Sequence, residues 1–142
     1  MKYFISLLLS FIIFTASAES PPFMNKSPKE GLWEALEYYE IHHKEIVYAQ
    51  AVLETGNFTS KGCTVGNNLF GLRGRHYHLY KHWSESVAAY KEKIQSKYRE
   101  GEDYYKFLNR IKYAQNPQYT NILRKIVNGK DSRSRKPSKR NK

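Results

Sequence analysis

Apolar and polar residues recur with a helical period over most of this 142-residue chain. Ser27-Pro28-Lys29-Glu30 opens the first such stretch: a serine suited to capping, a proline at the first helical position and a glutamate placed to close a capping box. Leu32, Leu36 and Tyr39 follow on one face. The chain is expected to break near Ile41-His42-His43 and to start a second helix over residues 43 to about 53. Its Ile46, Val47, Ala49, Val52 and Leu53 spread over more than one side, which predicts a largely buried helix. Glu54 then projects from the end of that helix, directly before Thr55-Gly56.

Gly56, Gly62, Gly66, Gly71 and Gly74 exclude a long helix in the next stretch. Extended pieces at 69–73 and 77–83 are expected to pair as a small hairpin or to stay irregular. Ser84 is expected to cap a third helix, with Val87, Tyr90, Ile94 and Tyr98 along one stripe. Gly101 separates it from a short helical segment. Asn116-Pro117 opens a last helix carrying Tyr119, Ile122, Leu123, Ile126 and Val127, and Asn128-Gly129 is expected to close it. The predicted class is α+β, mostly helical, with a small β or irregular insert after Glu54.

The chain ends change this picture. Lys2, an apolar run over residues 3–14 and the small-x-small triplet Ala16-Ser17-Ala18 read as a signal peptide, residues 1–18. The run is shorter than the roughly 20 apolar residues of a membrane span. The expected product is an exported protein, periplasmic or extracellular, with one domain at 19–129. Cys63 is the sole cysteine, so neither an intramolecular disulfide nor a thiolate zinc site can form, and a small buried filler is expected. Of the formal net charge of +11, residues 130–142 carry seven Lys/Arg against one Asp. That segment has no apolar residue and reads as a disordered basic tail. In an exported chain, an anionic envelope polymer or membrane surface suits it better than nucleic acid, and simple solubilisation is the alternative.

Glu54 is the odd residue chemically. A carboxylate at a helix C-terminus faces the negative end of the macrodipole. That placement suits a solvated surface acid, or a carboxyl kept protonated for general-acid work. His76, His78 and His82 alternate as if on one strand face, but no carboxylate or thiolate completes a metal set, so no metal or cofactor is expected. The 12 tyrosines divide between core packing and stacking on sugar rings. Between Glu54 and Glu85 there is no acidic residue. A standard glycosidase uses two carboxyl groups. The partner of Glu54 is therefore Glu85 or a later acid, or the 2-acetamido group of the substrate itself.

Five blocks carry a family resemblance: "AQAVLETGNFTS" (49–60), "NNLFGLR" (67–73), "HWSESVAAY" (82–90), "DYYKFL" (103–108) and "YAQNPQY" (113–119). In order and rough spacing they resemble the bacterial N-acetylglucosaminidases of glycoside hydrolase family 73, over about residues 32–127. The resemblance implies a lysozyme-like fold. It also implies hydrolysis of peptidoglycan between N-acetylglucosamine and N-acetylmuramic acid by a monomeric enzyme whose partner is the glycan strand. It places the catalytic acid at Glu54 and a catalytic tyrosine at Tyr113. Asn68, Phe70, Gly71, Tyr77, Trp83 and Tyr119 become expected substrate-binding residues, with Glu85 the candidate second acid. Many relatives carry an acid in the insert where this chain has none. A muramidase or lytic transglycosylase, and a non-catalytic wall-binding module, are the alternatives.

Overall fold

A computed structural model describes residues 19–134, with side chains as far as residue 129. The expected export segment, 1–18, and residues 135–142 of the basic tail lie outside the described residues. Among the described residues, α1 (Pro28–Tyr38), α2 (Lys44–Glu54), α3 (Lys61–Thr64), α4 (Trp83–Lys93), α5 (Tyr104–Arg110) and α6 (Tyr119–Ser134) carry the fold, with a 3-10 turn, Gln95–Lys97, directly after α4. Helix α2 packs on both α1 and α6, α1 also on α4, and α5 on α6. Leu32, Leu36, Val47, Val87, Phe107 and Leu123 meet in the core with no accessible surface or almost none. Each such side chain contributes about 1.5–3 kcal/mol by leaving water.

Helix α1 begins as its sequence predicts. The Glu30 carboxylate accepts from Ser27 N at 3.2 Å and from Ser27 Oγ at 2.7 Å, so two groups at the helix start are satisfied by one side chain. It ends at Glu40, held left-handed at φ 52. There Ile41 N donates to Leu36 O and Glu40 N to Glu37 O, each at 2.9 Å. These two bonds make a Schellman closure, and buried Ile41 supplies its apolar contact.

Helix α2 closes the same way, and this closure sets Glu54. Asn57 N donates to Val52 O at 2.8 Å and Gly56 N to Leu53 O at 3.4 Å. Gly56 is at φ 55, so Glu54 becomes the last helical residue. Thr55 locks the turn: its hydroxyl donates to Ala51 O at 2.6 Å and accepts from Phe58 N at 2.8 Å. Asn57 and Phe58 are left-handed too, at φ 60 and φ 67, which for an aromatic residue is strained backbone. Cys63 is buried, as expected.

The insert takes the irregular of its two expected forms, and two other expectations are corrected. Among the described residues the pairing in the insert is one isolated bridge, Arg73 with Tyr77. The insert is irregular because the Asn68 side chain does the work of a ladder. Its Nδ2 donates to Leu72 O and His78 O, at 2.8 and 2.9 Å, and its Oδ1 accepts from Leu72 N at 3.0 Å. The cap of α4 is His82 rather than Ser84, because imidazole Nδ1 accepts from Ser84 N at 3.2 Å. This draws Trp83 and Ser84 into the helix, both buried. Helix α6 does not close at Asn128-Gly129 but runs on to Ser134. No apolar residue follows Gly129 to pack back on the helix and complete a Schellman cap.

Candidate active site

The α2 closure delivers the Glu54 carboxyl into a cleft of about 540 Å³, walled by Phe70, Gly71 and Arg73 of the insert and by Tyr113 before α6. Glu54 is exposed as a residue, yet its carboxyl is hemmed in enough by these groups for desolvation to raise its pKa. A hydrogen bond from Tyr119 and the charge of Arg73 oppose that rise without cancelling it. Tyr119 Oη donates to Glu54 Oε1 at 2.9 Å. The other oxygen, Oε2, faces Gly71, where a Cβ would lie 3.1 Å from it. Gly71 is also left-handed, at φ 61. The backbone there favours glycine, and any side chain would also make the Glu54 carboxyl give way by a few tenths of an ångström.

Tyr113 lines the same cleft, and its hydroxyl donates to Phe70 O at 2.7 Å. This bond ties the turn before α6 to the insert across the cleft. Burial pushes its phenol well above the ordinary range, and the nearby Tyr119 and Glu54 add to the shift. Tyr113 and Tyr119 stack obliquely, ring centroids 5.6 Å apart. Phe70 is buried and packs its ring on Tyr90 at 4.6 Å.

The structure does not bring every expected residue to the cleft. Asn68 is buried with its side-chain bonds spent on the insert, so it holds Phe70 and Leu72 in place and offers nothing to a ligand. Trp83 is a core residue: its indole N–H donates to Lys26 O at 2.9 Å and its ring meets Phe23 at 5.8 Å. Glu85 is exposed and accepts from Lys81 N at 3.1 Å in the first turn of α4, away from the cleft lining. Tyr77 is not among the residues lining this cleft, and its hydroxyl donates to Asn68 O at 3.4 Å, near enough to feel the charges of Arg73 and Glu54. The three histidines part company: His82 caps α4, and His78 contacts Lys93 Nζ at 3.3 Å.

Four contributors escaped the sequence reading. Arg73, Lys97 and Lys112 line the cleft, and among the described residues none of them forms an ion pair. Gln50, one turn before Glu54, is fully buried and donates from Nε2 to Tyr119 Oη at 3.3 Å. An amide inside an apolar helix was the available signal, because a buried amide must find partners.

A single carboxyl of raised pKa at a helix end, in a cleft lined by aromatic rings and by cations outside any ion pair, has the groups that glycoside hydrolysis calls for. The chain belongs to the glucosaminidase family, glycoside hydrolase family 73: residues 29–132 match that family, described as mannosyl-glycoprotein endo-beta-N-acetylglucosaminidase. It is a glycoside hydrolase, and its mostly helical body with almost no strand is compatible with a lysozyme-like glucosaminidase domain. Among curated proteins none matches the chain.

Proposed function

We propose that the protein is an exported peptidoglycan hydrolase that cleaves the β-1,4 bond between N-acetylglucosamine and N-acetylmuramic acid, with Glu54 as general acid. The observation that carries this reading is the Glu54 carboxyl in the cleft lining, its pKa raised by desolvation and one oxygen held by Tyr119. A carboxyl that keeps its proton closer to neutrality can give it to the departing glycosidic oxygen. The free cations Arg73, Lys97 and Lys112 support a negatively charged glycan, such as one bearing lactyl and peptide carboxylates.

Glu54 is the single carboxylate along the described cleft lining, which favours the substrate's acetamido group as nucleophile. In that sequence the acetamido oxygen attacks the anomeric carbon while Glu54 protonates the leaving oxygen. Water then adds at the anomeric carbon, the oxazolinium ring opens and the proton returns to Glu54. Tyr113 stands beside Glu54 with its proton committed to Phe70 O. The phenol's remaining lone pair is free to accept the acetamido N–H or to face the developing positive charge.

Mass spectrometry of reduced peptidoglycan fragments tests the reading. Wild type is expected to leave N-acetylglucosamine at the new reducing end, and Glu54→Gln to lose about 10²–10⁴ in rate. Reducing or anhydro muramic acid ends would transfer the assignment to a muramidase or transglycosylase. Activity of Glu54→Gln within tenfold of wild type, with the fold intact, would remove Glu54 from the chemistry.

A further inference from the structure

Behind Glu54 a row of buried polar side chains crosses the protein from α2 to the far end of the core. Tyr119 Oη accepts from Gln50 Nε2 at 3.3 Å, and Gln50 Oε1 accepts from Tyr90 Oη at 2.5 Å. Tyr90 Oη meets Tyr104 Oη at 2.8 Å, and Tyr104 Oη accepts from Gln95 Nε2 at 3.0 Å. Gln95 ends the row on the backbone of His42, accepting from its N–H at 3.0 Å and donating to its carbonyl at 2.8 Å. Gln50, Tyr90 and Tyr104 are almost completely buried, and Gln95 and Tyr119 are each 7% exposed.

The row has one self-consistent direction. A backbone N–H and a backbone carbonyl on the same residue fix which end of the Gln95 amide is nitrogen, so that amide cannot flip. Tyr104 then faces a donor and must give its own proton to Tyr90. Tyr90 must give its proton to Gln50 Oε1, which turns Gln50 Nε2 towards Tyr119. Tyr119, receiving that N–H, has its own proton left for Glu54. Burial raises the phenols of Tyr90, Tyr104 and Tyr119, with Tyr104 pushed up to about 12. All three therefore stay protonated donors over the working range of a glycosidase.

We propose that Gln95, Tyr104, Tyr90 and Gln50 are positioning residues that act through Tyr119 to keep Glu54 Oε1 an acceptor, so that the transferable proton resides on Oε2. This rests on Glu54 being the general acid. It assigns the reacting atom: Oε2 is the oxygen beside Gly71, on the insert side of the cleft, and the glycosidic oxygen must approach there. Gln95 also satisfies the backbone of His42 and Gln50 the hydroxyl of Tyr90, so a structural role alone predicts a loss of stability with no change at Glu54.

The charged or titratable groups facing Glu54 are Tyr119 from α6, Tyr113 from the preceding turn, and Arg73 and Tyr77 from the insert. Tyr119 lowers the Glu54 pKa by its hydrogen bond. Breaking the row frees Gln50 to turn its oxygen to Tyr119 and draw that donor away, so the Glu54 midpoint should rise. The test is a ¹³C titration of the labelled Glu54 carboxyl, assigned by its loss in Glu54→Gln, in wild type, Tyr90→Phe, Gln95→Leu and Tyr119→Phe. The expected result is an upward midpoint shift of about half a unit or more in all three variants, largest in Tyr119→Phe. In Tyr90→Phe and Gln95→Leu, kcat should fall about tenfold with KM unchanged. A remote core variant, Leu36→Met, should move the melting temperature but not the midpoint. Midpoints in Tyr90→Phe and Gln95→Leu that stay at the wild-type value would overturn the proposal, whatever their thermal stability. The titration needs no turnover, so an active Glu54→Gln would refute the acid assignment separately.

Discussion

Replacing Gly71 by alanine puts two separable effects on one position. The residue is left-handed at φ 61, and an L side chain in that region costs about 1–2 kcal/mol. For a domain of this size that lowers the melting temperature by about 4–8 °C. The new methyl would also stand 3.1 Å from Glu54 Oε2, closer than an ordinary contact, so the carboxyl must retreat by a few tenths of an ångström. Misplacement of a reacting group by ~1 Å costs on the order of 10² in rate, which puts the expected loss in kcat at roughly tenfold. Gly101 supplies the control: it is left-handed at φ 79 with nothing within 4 Å of a Cβ. Gly101→Ala therefore carries the backbone strain alone. The assay is release of reducing ends from purified glycan strands, run beside thermal melts of both variants. Similar melts with a kcat loss confined to Gly71→Ala are expected. A Gly71→Ala enzyme within twofold of wild-type kcat would refute the packing of Gly71 against the acid.

Other consequences follow from the same site. Because the folded pKa of Glu54 is raised, its stabilising share is complete below the unfolded value near 4.5 and is lost as pH rises through the folded value. Glu54→Gln should accordingly melt higher than wild type at neutral pH, and the advantage should vanish at acidic pH; a constant difference across pH would contradict this. Trp83→Phe leaves Lys26 O without its donor and should cost about 1–3 kcal/mol in stability while leaving KM unchanged. A raised KM without a stability loss would return Trp83 to the substrate. Lys97→Ala with Lys112→Ala should raise KM for peptide-bearing strands at low salt and leave neutral chitin oligomers unaffected. Equal effects on both substrates would show that the cleft cations read no charge.

Local signals in the sequence were legible wherever a residue meets its partner within a few positions. Ser27, Pro28 and Glu30 start α1 as read, and Glu54-Thr55-Gly56 marks a helix end because Gly56 can turn left-handed. Competing signals were harder: His82 and Ser84 can both cap, and burial of the Trp83 ring within α4 decides for His82. Asn128-Gly129 permits a helix stop without compelling one. The sequence left the insert open between a hairpin and an irregular loop, and one asparagine side chain decides it by satisfying backbone groups that a second strand would have met. Least legible was the polar row, whose members are joined over separations as large as 69 residues. Tyr90 on an apolar stripe reads as packing, and nothing in its spacing reveals that its hydroxyl points at Gln50.

The donor to Glu54 comes from α6, and α6 is made after every other described helix. Synthesis proceeds from the N-terminus, so α2 and its carboxyl exist before Tyr119 does. Until α6 docks, that carboxyl lacks the Tyr119 donor that distinguishes its two oxygens. If Glu54 is the acid, its setting therefore arrives only with α6. A chain cut short before residue 119 is expected to carry the carboxyl without its donor and to stay inert.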